Sequence, residues 1–144
     1  MAARLVGDPS AAQRVSLPTS GSTAFTRGAL VYITYASDRV DPATSSAGST
    51  VNLVGVAAQT IASTATFLEV ILINQGQIWE MDCTAATASN QLLNRQVLTD
   101  SLTVNNTSSD TATTLGIALQ LANVGATADN KALFKFLVVG QVTA

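Results

Sequence analysis

Apolar and polar residues alternate in short runs along most of this chain, and the runs are brief and rich in β-branched or aromatic side chains. Ala29 to Tyr35 is one such run, with Tyr32, Ile33 and Tyr35 suited to a pleated surface. Val51 to Ala58 reads as a strand interrupted by Gly55, and a glycine inside a strand marks a bulge or a close approach of backbone. Thr66 to Asn74 is the strongest strand of this half, and Gln77 to Asp82 follows it after Gln75-Gly76. Gln91 to Thr99 and Ser101 to Asn105 are further strand segments. Asp38 to Pro42 is turn chemistry around a very short strand, while Ala43 to Ser49, Asn105 to Asp110 and Ala122 to Asn130 are loops. Only Thr84 to Asn90 has the Ala/Thr/Ser mix of a short helix or irregular crossover, for which Thr87 or Ser89 is a candidate cap.

The pattern is written twice. Gly55-Val56-Ala57-Ala58-Gln59 recurs as Gly116-Ile117-Ala118-Leu119-Gln120, and Gly76-Gln77-Ile78 recurs as Gly140-Gln141-Val142. Leu30-Val31 stands before the first glycine much as Leu92-Leu93 stands before the second. A unit of about 60 residues is too long for a solenoid repeat, so two copies in one body are expected, over about 28–82 and 90–144. Aligning Gly76 on Gly140 sets Leu68, Val70 and Leu72 opposite Ala132, Phe134 and Phe136, and period-two logic sends both sets to the core. Glu69, Lys131 and Lys135 then face water, with Phe67, Ile71 and Ile73 on the same wetter face as candidates for a subunit contact or for cover by a loop. The fold class that follows is mainly β: one compact sandwich- or barrel-like body from two degenerate copies, with at most one short helix.

Residues 1–26 differ from the body at 27–144. They hold Pro9 and Pro18 and few apolar residues, and they suit either a loose tail or an extended arm lying on a neighbour. Leu5-Val6 and Val15-Ser16-Leu17 are β-prone patches of the kind that adds to an exposed sheet edge.

Composition narrows the functions. Charged residues make up 11% of the 144, far below the ~25% of an ordinary domain, so part of the apolar surface is expected to be covered by partners. The seven basic residues are scattered in a chain of net charge −2, which argues against nucleic acid. Met1 to Pro9 lacks the apolar stretch of a signal peptide, and no run, Val70 to Ile73 included, approaches a membrane span. With no histidine, most acid–base relays and the commonest metal ligand are missing. Cys83 has no neighbouring cluster, Glu80 and Asp82 share one strand face, and Asp38 and Asp41 flank a turn, all simpler to explain structurally. Trp79 suits a core position with a partner for its N–H, or an interface anchor. No catalytic, cofactor or metal site is expected, and the chain is not expected to be an enzyme.

The order of segments from Ser37 to Ile78 resembles the head decoration, or cement, proteins of tailed bacteriophages, the lambda-type decoration protein among them. The residues that carry it are Val54-Gly55-Val56-Ala57 and Gly76, echoed by Leu115-Gly116-Ile117-Ala118 and Gly140. The resemblance implies a β-tulip-like structural protein on the capsid exterior, made in the host cytoplasm. It would form trimers and lock neighbouring subunits of the major capsid protein together, with an N-terminal extension along the shell. Contact residues expected on that basis are Arg4, Leu5, Val6, Arg14 and Val15, then Leu17, Phe25 and Arg27 in the arm, with Phe67, Ile71 and Trp79 in the body. A head-fibre base, tail-tube or spike module is the alternative, and a small-molecule binder or enzyme a more distant one.

Overall fold

The computed structural model describes residues 3–7, 12–34, 38–43, 52–74, 77–85, 92–93, 95–109, 118–125 and 129–136. Eleven strands run through them, and no α-helix is present among the described residues. They are β1 (Arg4–Gly7), β2 (Arg14–Pro18), β3 (Leu30–Thr34), β4 (Arg39–Pro42), β5 (Asn52–Ala57), β6 (Phe67–Leu72), β7 (Ile78–Cys83), β8 (Arg95–Asp100), β9 (Thr103–Ser109), β10 (Ala118–Val124) and β11 (Lys131–Phe136). Of the segment expected to be a helix or crossover, Thr84 and Ala85 form a bend and the rest lies outside the described residues.

The duplication is visible in the pairing. The first sheet has the order β2-β6-β5-β3-β4, and its outer strands meet through a single parallel bridge, Thr19 to Val40. The second has six strands in the order β1-β7-β11-β10-β8-β9, and the last five close into a barrel where Asp82 and Cys83 of β7 pair in parallel with Thr103 and Val104 of β9. Apart from β1, the two orders are strand for strand the same. The registers match as well: the pairs Val15–Val70 and Leu17–Leu68 become Trp79–Phe134 and Met81–Ala132, and the Thr19–Val40 bridge becomes Cys83–Val104. Likewise Gly55–Leu72 becomes Ala118–Phe136.

This equivalence moves the frame read from the sequence. The pairing Leu68, Val70, Leu72 with Ala132, Phe134, Phe136 holds, and all of them are buried except the half-buried Leu72. The structural counterpart of Gly55, however, is Ala118 rather than Gly116, and that of Leu30 is Arg95 rather than Leu92. Leu92 and Leu93 sit in an exposed turn, Leu93 at a positive φ of 63°. Each structural copy also begins one strand earlier than the sequence frame, with β2 opening the first and β7 the second. In segment 1–26, read as an arm, the two described strands lie on this chain's own sheets, β1 against β7 and β2 against β6.

Side-chain alternation builds two cores. Inside the first unit lie Phe25, Ala29, Val31, Val40, Ala57, Leu68 and Val70. The larger cluster fills the second barrel with Trp79, Met81, Leu98, Val104, Phe134 and Phe136, and it continues onto the outer face of the first unit through Leu30, Leu53, Val56 and Ile73. Ile71 and Ile73, expected on a wetter face, therefore turn toward the second unit: Ile73 is buried there and Ile71 half-buried against the same cluster. A backbone bond from Leu30 N–H to Ser101 O, 2.7 Å, adds a polar tie across the seam. Gly55 is required by close packing, because a Cβ there would lie 2.4 Å from the carbonyl oxygen of Ile71. Beside it the β3–β5 register slips at Val54, the bulge foreseen from the glycine.

Candidate functional site

The seam between the units opens into a cleft of about 340 Å³. β1 forms one wall. It pairs antiparallel with the first half of β7, Leu5 opposite Trp79, and Ala3 N–H donates to Gly28 O at 3.0 Å. Gly28 holds φ at 86°, a conformation that a side chain would strain, and its own N–H donates to Ala57 O at 2.8 Å. The floor is apolar, from Val56, Ala57, Ala58, Ile71 and Trp79.

Three arginines rim that floor: Arg4 from β1, Arg14 from the start of β2, and Arg27 from the turn before Gly28. Among the described residues no acid lines the cleft. Thus three of the seven basic residues of an acidic chain converge on one apolar depression. Their charges are neutralised unequally. Arg4 Nη2 donates to Glu80 Oε2 at 2.8 Å, and Glu80 is nearly buried. Arg14 stands 3.6 Å from Glu69, both of them substantially exposed, which is a weakly held pair. Arg27 has no ion pair among the described residues and uses its backbone N–H on Thr60 Oγ1. Below them, Trp79 is 1% exposed, and its indole N–H has no hydrogen-bond partner among the described residues.

Of the contact residues expected from the sequence, Arg4, Leu5, Arg14, Arg27, Ile71 and Trp79 come together here. Trp79 does so as a core residue, one of the two positions its sequence suited, tilted 50° against Phe136 at 6.4 Å. Phe25, expected as a contact residue, is instead buried in the first core and bridged to Ile61. Val15 and Leu17 are half-buried at the border of that core, whereas Val6 and Phe67 remain exposed, Phe67 at 59%. The convergence of Arg4, Arg14 and Arg27 had no signal in the chain, since their spacing is aperiodic and their meeting depends on how two sheets face each other.

The other polar candidates are structural. Glu80 and Asp82 do share the outer face of β7, but Glu80 is engaged by Arg4. Asp38 occupies a turn at φ 52° between β3 and β4. Cys83 is buried in the second barrel, where desolvation pushes its thiol up to about 11, far from a reactive thiolate. Buried amides tie strands and turns: Gln96 Nε2 donates to Gln120 Oε1 at 2.7 Å, and Gln77 bonds both Asn74 N–H and Leu72 O at the joint between the units. Among the described residues no group of three or more His, Cys, Asp or Glu is placed to hold a metal ion. No described helix is long and apolar enough to cross a membrane. No protein-family model, curated protein or solved structure matches the chain.

Proposed function

We propose that this chain is a structural virion protein that binds the outer surface of a tailed-phage capsid and cements neighbouring major capsid protein subunits. The observation that carries the reading is the duplication: one chain displays two β units with equivalent strand pairing. A bridging protein needs two contact surfaces at fixed separation, because the second contact then forms at high effective concentration and modest affinities become a durable clamp. The likeness of Val54-Gly55-Val56-Ala57 and its surroundings to decoration proteins supports the same reading. So does the chemistry of the described surface, which offers contact features, the arginine-rimmed cleft and exposed Phe67, in place of a nucleophile with its base.

In this proposal the protein acts on the capsid exterior, and a homotrimer assembled on the shell covers part of its apolar surface. The test is co-sedimentation of the purified protein with mature capsids stripped of it, titrated to saturation. Saturable binding at a fixed ratio to capsid subunits is expected, with capsids that resist heating better when loaded. Absence of binding would overturn the reading.

A further inference from the structure

The two units are equivalent in pairing but not in completeness. In the second, the edge of β7 that faces away from β11 is fully used: β1 covers Ile78 to Glu80, and β9 takes Asp82 and Cys83. The counterpart in the first unit is the edge of β2 that faces away from β6. There the Thr19–Val40 bridge stands for the β9 contact, and no described strand stands for β1.

Hydrogen-bond parity shows which groups that leaves. Leu72 N–H donates to Gln13 O at 2.8 Å and Thr19 N–H to Thr66 O at 2.9 Å, so odd-numbered positions of β2 bond β6. Arg14 and Ser16 therefore turn their backbone N–H and C=O outward. Pro18 falls on the same outward side, where its missing N–H costs no ladder bond, the usual place for proline on an edge strand. Side chains tell the same story. Trp79, Met81 and Leu98 are fully buried, but their counterparts Val15, Leu17 and Ile33 are half-buried. Leu17 and Ile33 line a groove of about 280 Å³ with Pro18 and Val40, between β2 and β4.

We infer that the edge of β2 over Arg14–Ser16, which no described strand covers, is a docking site for an extended segment of a partner protein, added antiparallel as β1 is added to β7, with an apolar residue opposite Val15 and a carboxylate facing Arg14. The apolar residue follows from equivalence, since Leu5 lies opposite Trp79 at the matching place. The carboxylate follows from charge: among the described residues Arg14 has only its loose contact with Glu69, Arg27 stands nearby in the same cleft lining, and no described residue of that lining is acidic. Main-chain bonds give such an addition its affinity, and alternate side chains give it selectivity. The inference goes beyond the capsid reading and does not need it, as any partner with such a segment satisfies it.

The test uses the full chain and a blocked ten-residue peptide of alternating Thr and Val that carries one Leu followed by Glu. Amide hydrogen exchange and chemical shifts are followed at each residue during titration to millimolar peptide. In the free protein the Ser16 amide should exchange rapidly while Val15 and Leu17 are protected. Peptide should protect Ser16 and shift Leu17 and Ile33. Ser16→Pro removes a donor that β6 does not use, so the unfolding midpoint should hold while binding weakens by about tenfold or more. Exchanging the peptide Glu for Lys should weaken binding, and Arg14→Glu should reverse that preference. A Ser16 amide already protected in the free protein overturns the inference without recourse to any variant. So does a peptide that leaves it unprotected, or one that binds Ser16→Pro equally well. Dimerisation abolished by Ser16→Pro would make the occupant a second copy, and the partner-segment assignment would fall.

Discussion

At the scale of single residues, the interior is held by a few buried polar groups that bond one another, and their removal has asymmetric costs. Gln96 and Gln120 bond each other inside the second barrel, and Gln120 also donates to Asn123 Oδ1 at 2.7 Å. Gln120→Leu should destabilise the fold by about 1–3 kcal/mol, because the Gln96 amide loses its acceptor in a buried place. The pair Gln96→Leu with Gln120→Leu should recover most of that, as measured by urea unfolding of the double-mutant cycle. Cys83 links stability to pH. Its thiol ionises ordinarily at 9.0 and in the fold at about 11, so between those values only the unfolded chain gives up the proton. Its contribution is complete below pH 9 and is lost as pH rises to about 11, by at most ~2 kcal/mol after allowing for residual solvent screening. Urea unfolding across that window should show the decline, and Cys83→Ala should flatten it.

At the scale of elements, β1 is the most consequential short strand. It seals half an edge of β7, sets Leu5 against Trp79 and carries the only described ion partner of nearly buried Glu80. Deleting residues 1–7 should therefore cost about 2–4 kcal/mol, through lost apolar cover and an unpaired Glu80. Thermal unfolding measures it, and an unchanged midpoint would mean that the strand is not part of the body. Most of the elements were legible in the chain, but Asn105 to Ser109, expected as a polar loop, continue β9, and Ala122 to Val124, expected to open a loop, complete β10. Alternation located β3, β5, β6 and the inward faces of β6 and β11, and Gly55 announced its bulge. What the repeat could not convey was where a copy begins: a doubled pattern has a period but no origin, so β7 was read as the end of the first copy. β2 was legible only as the β-prone patch Val15-Ser16-Leu17, because it is short, ends in proline and is patterned for one-sided burial at an edge; that it pairs with this chain's own β6 was not. Packing of the two units on each other was equally silent, and with it the destination of Ile71 and the meeting of the three arginines.

At the scale of the whole molecule, two barrel-like units share one apolar cluster. Leu53, Val56 and Ile73 of the first unit pack with Trp79, Phe134 and Phe136 of the second, and Leu102 of the second packs against the core of the first. Neither unit can expose its seam without cost, so calorimetry should record one cooperative transition with calorimetric and van't Hoff enthalpies in agreement. Two separable transitions would show that the units are independent. One cooperative body is also what the proposed clamp would require, since play between its two halves would dissipate the benefit of holding both ends.

The chain has only one tryptophan, and it lies under the cleft with its indole N–H buried and without a hydrogen-bond partner among the described residues. Its emission should therefore sit toward the blue and move red as water reaches the seam. The molecule thus carries an optical gauge of its own integrity. Attachment, loss of β1 and the first opening between the units can each be followed by light, with no dye added and no residue replaced.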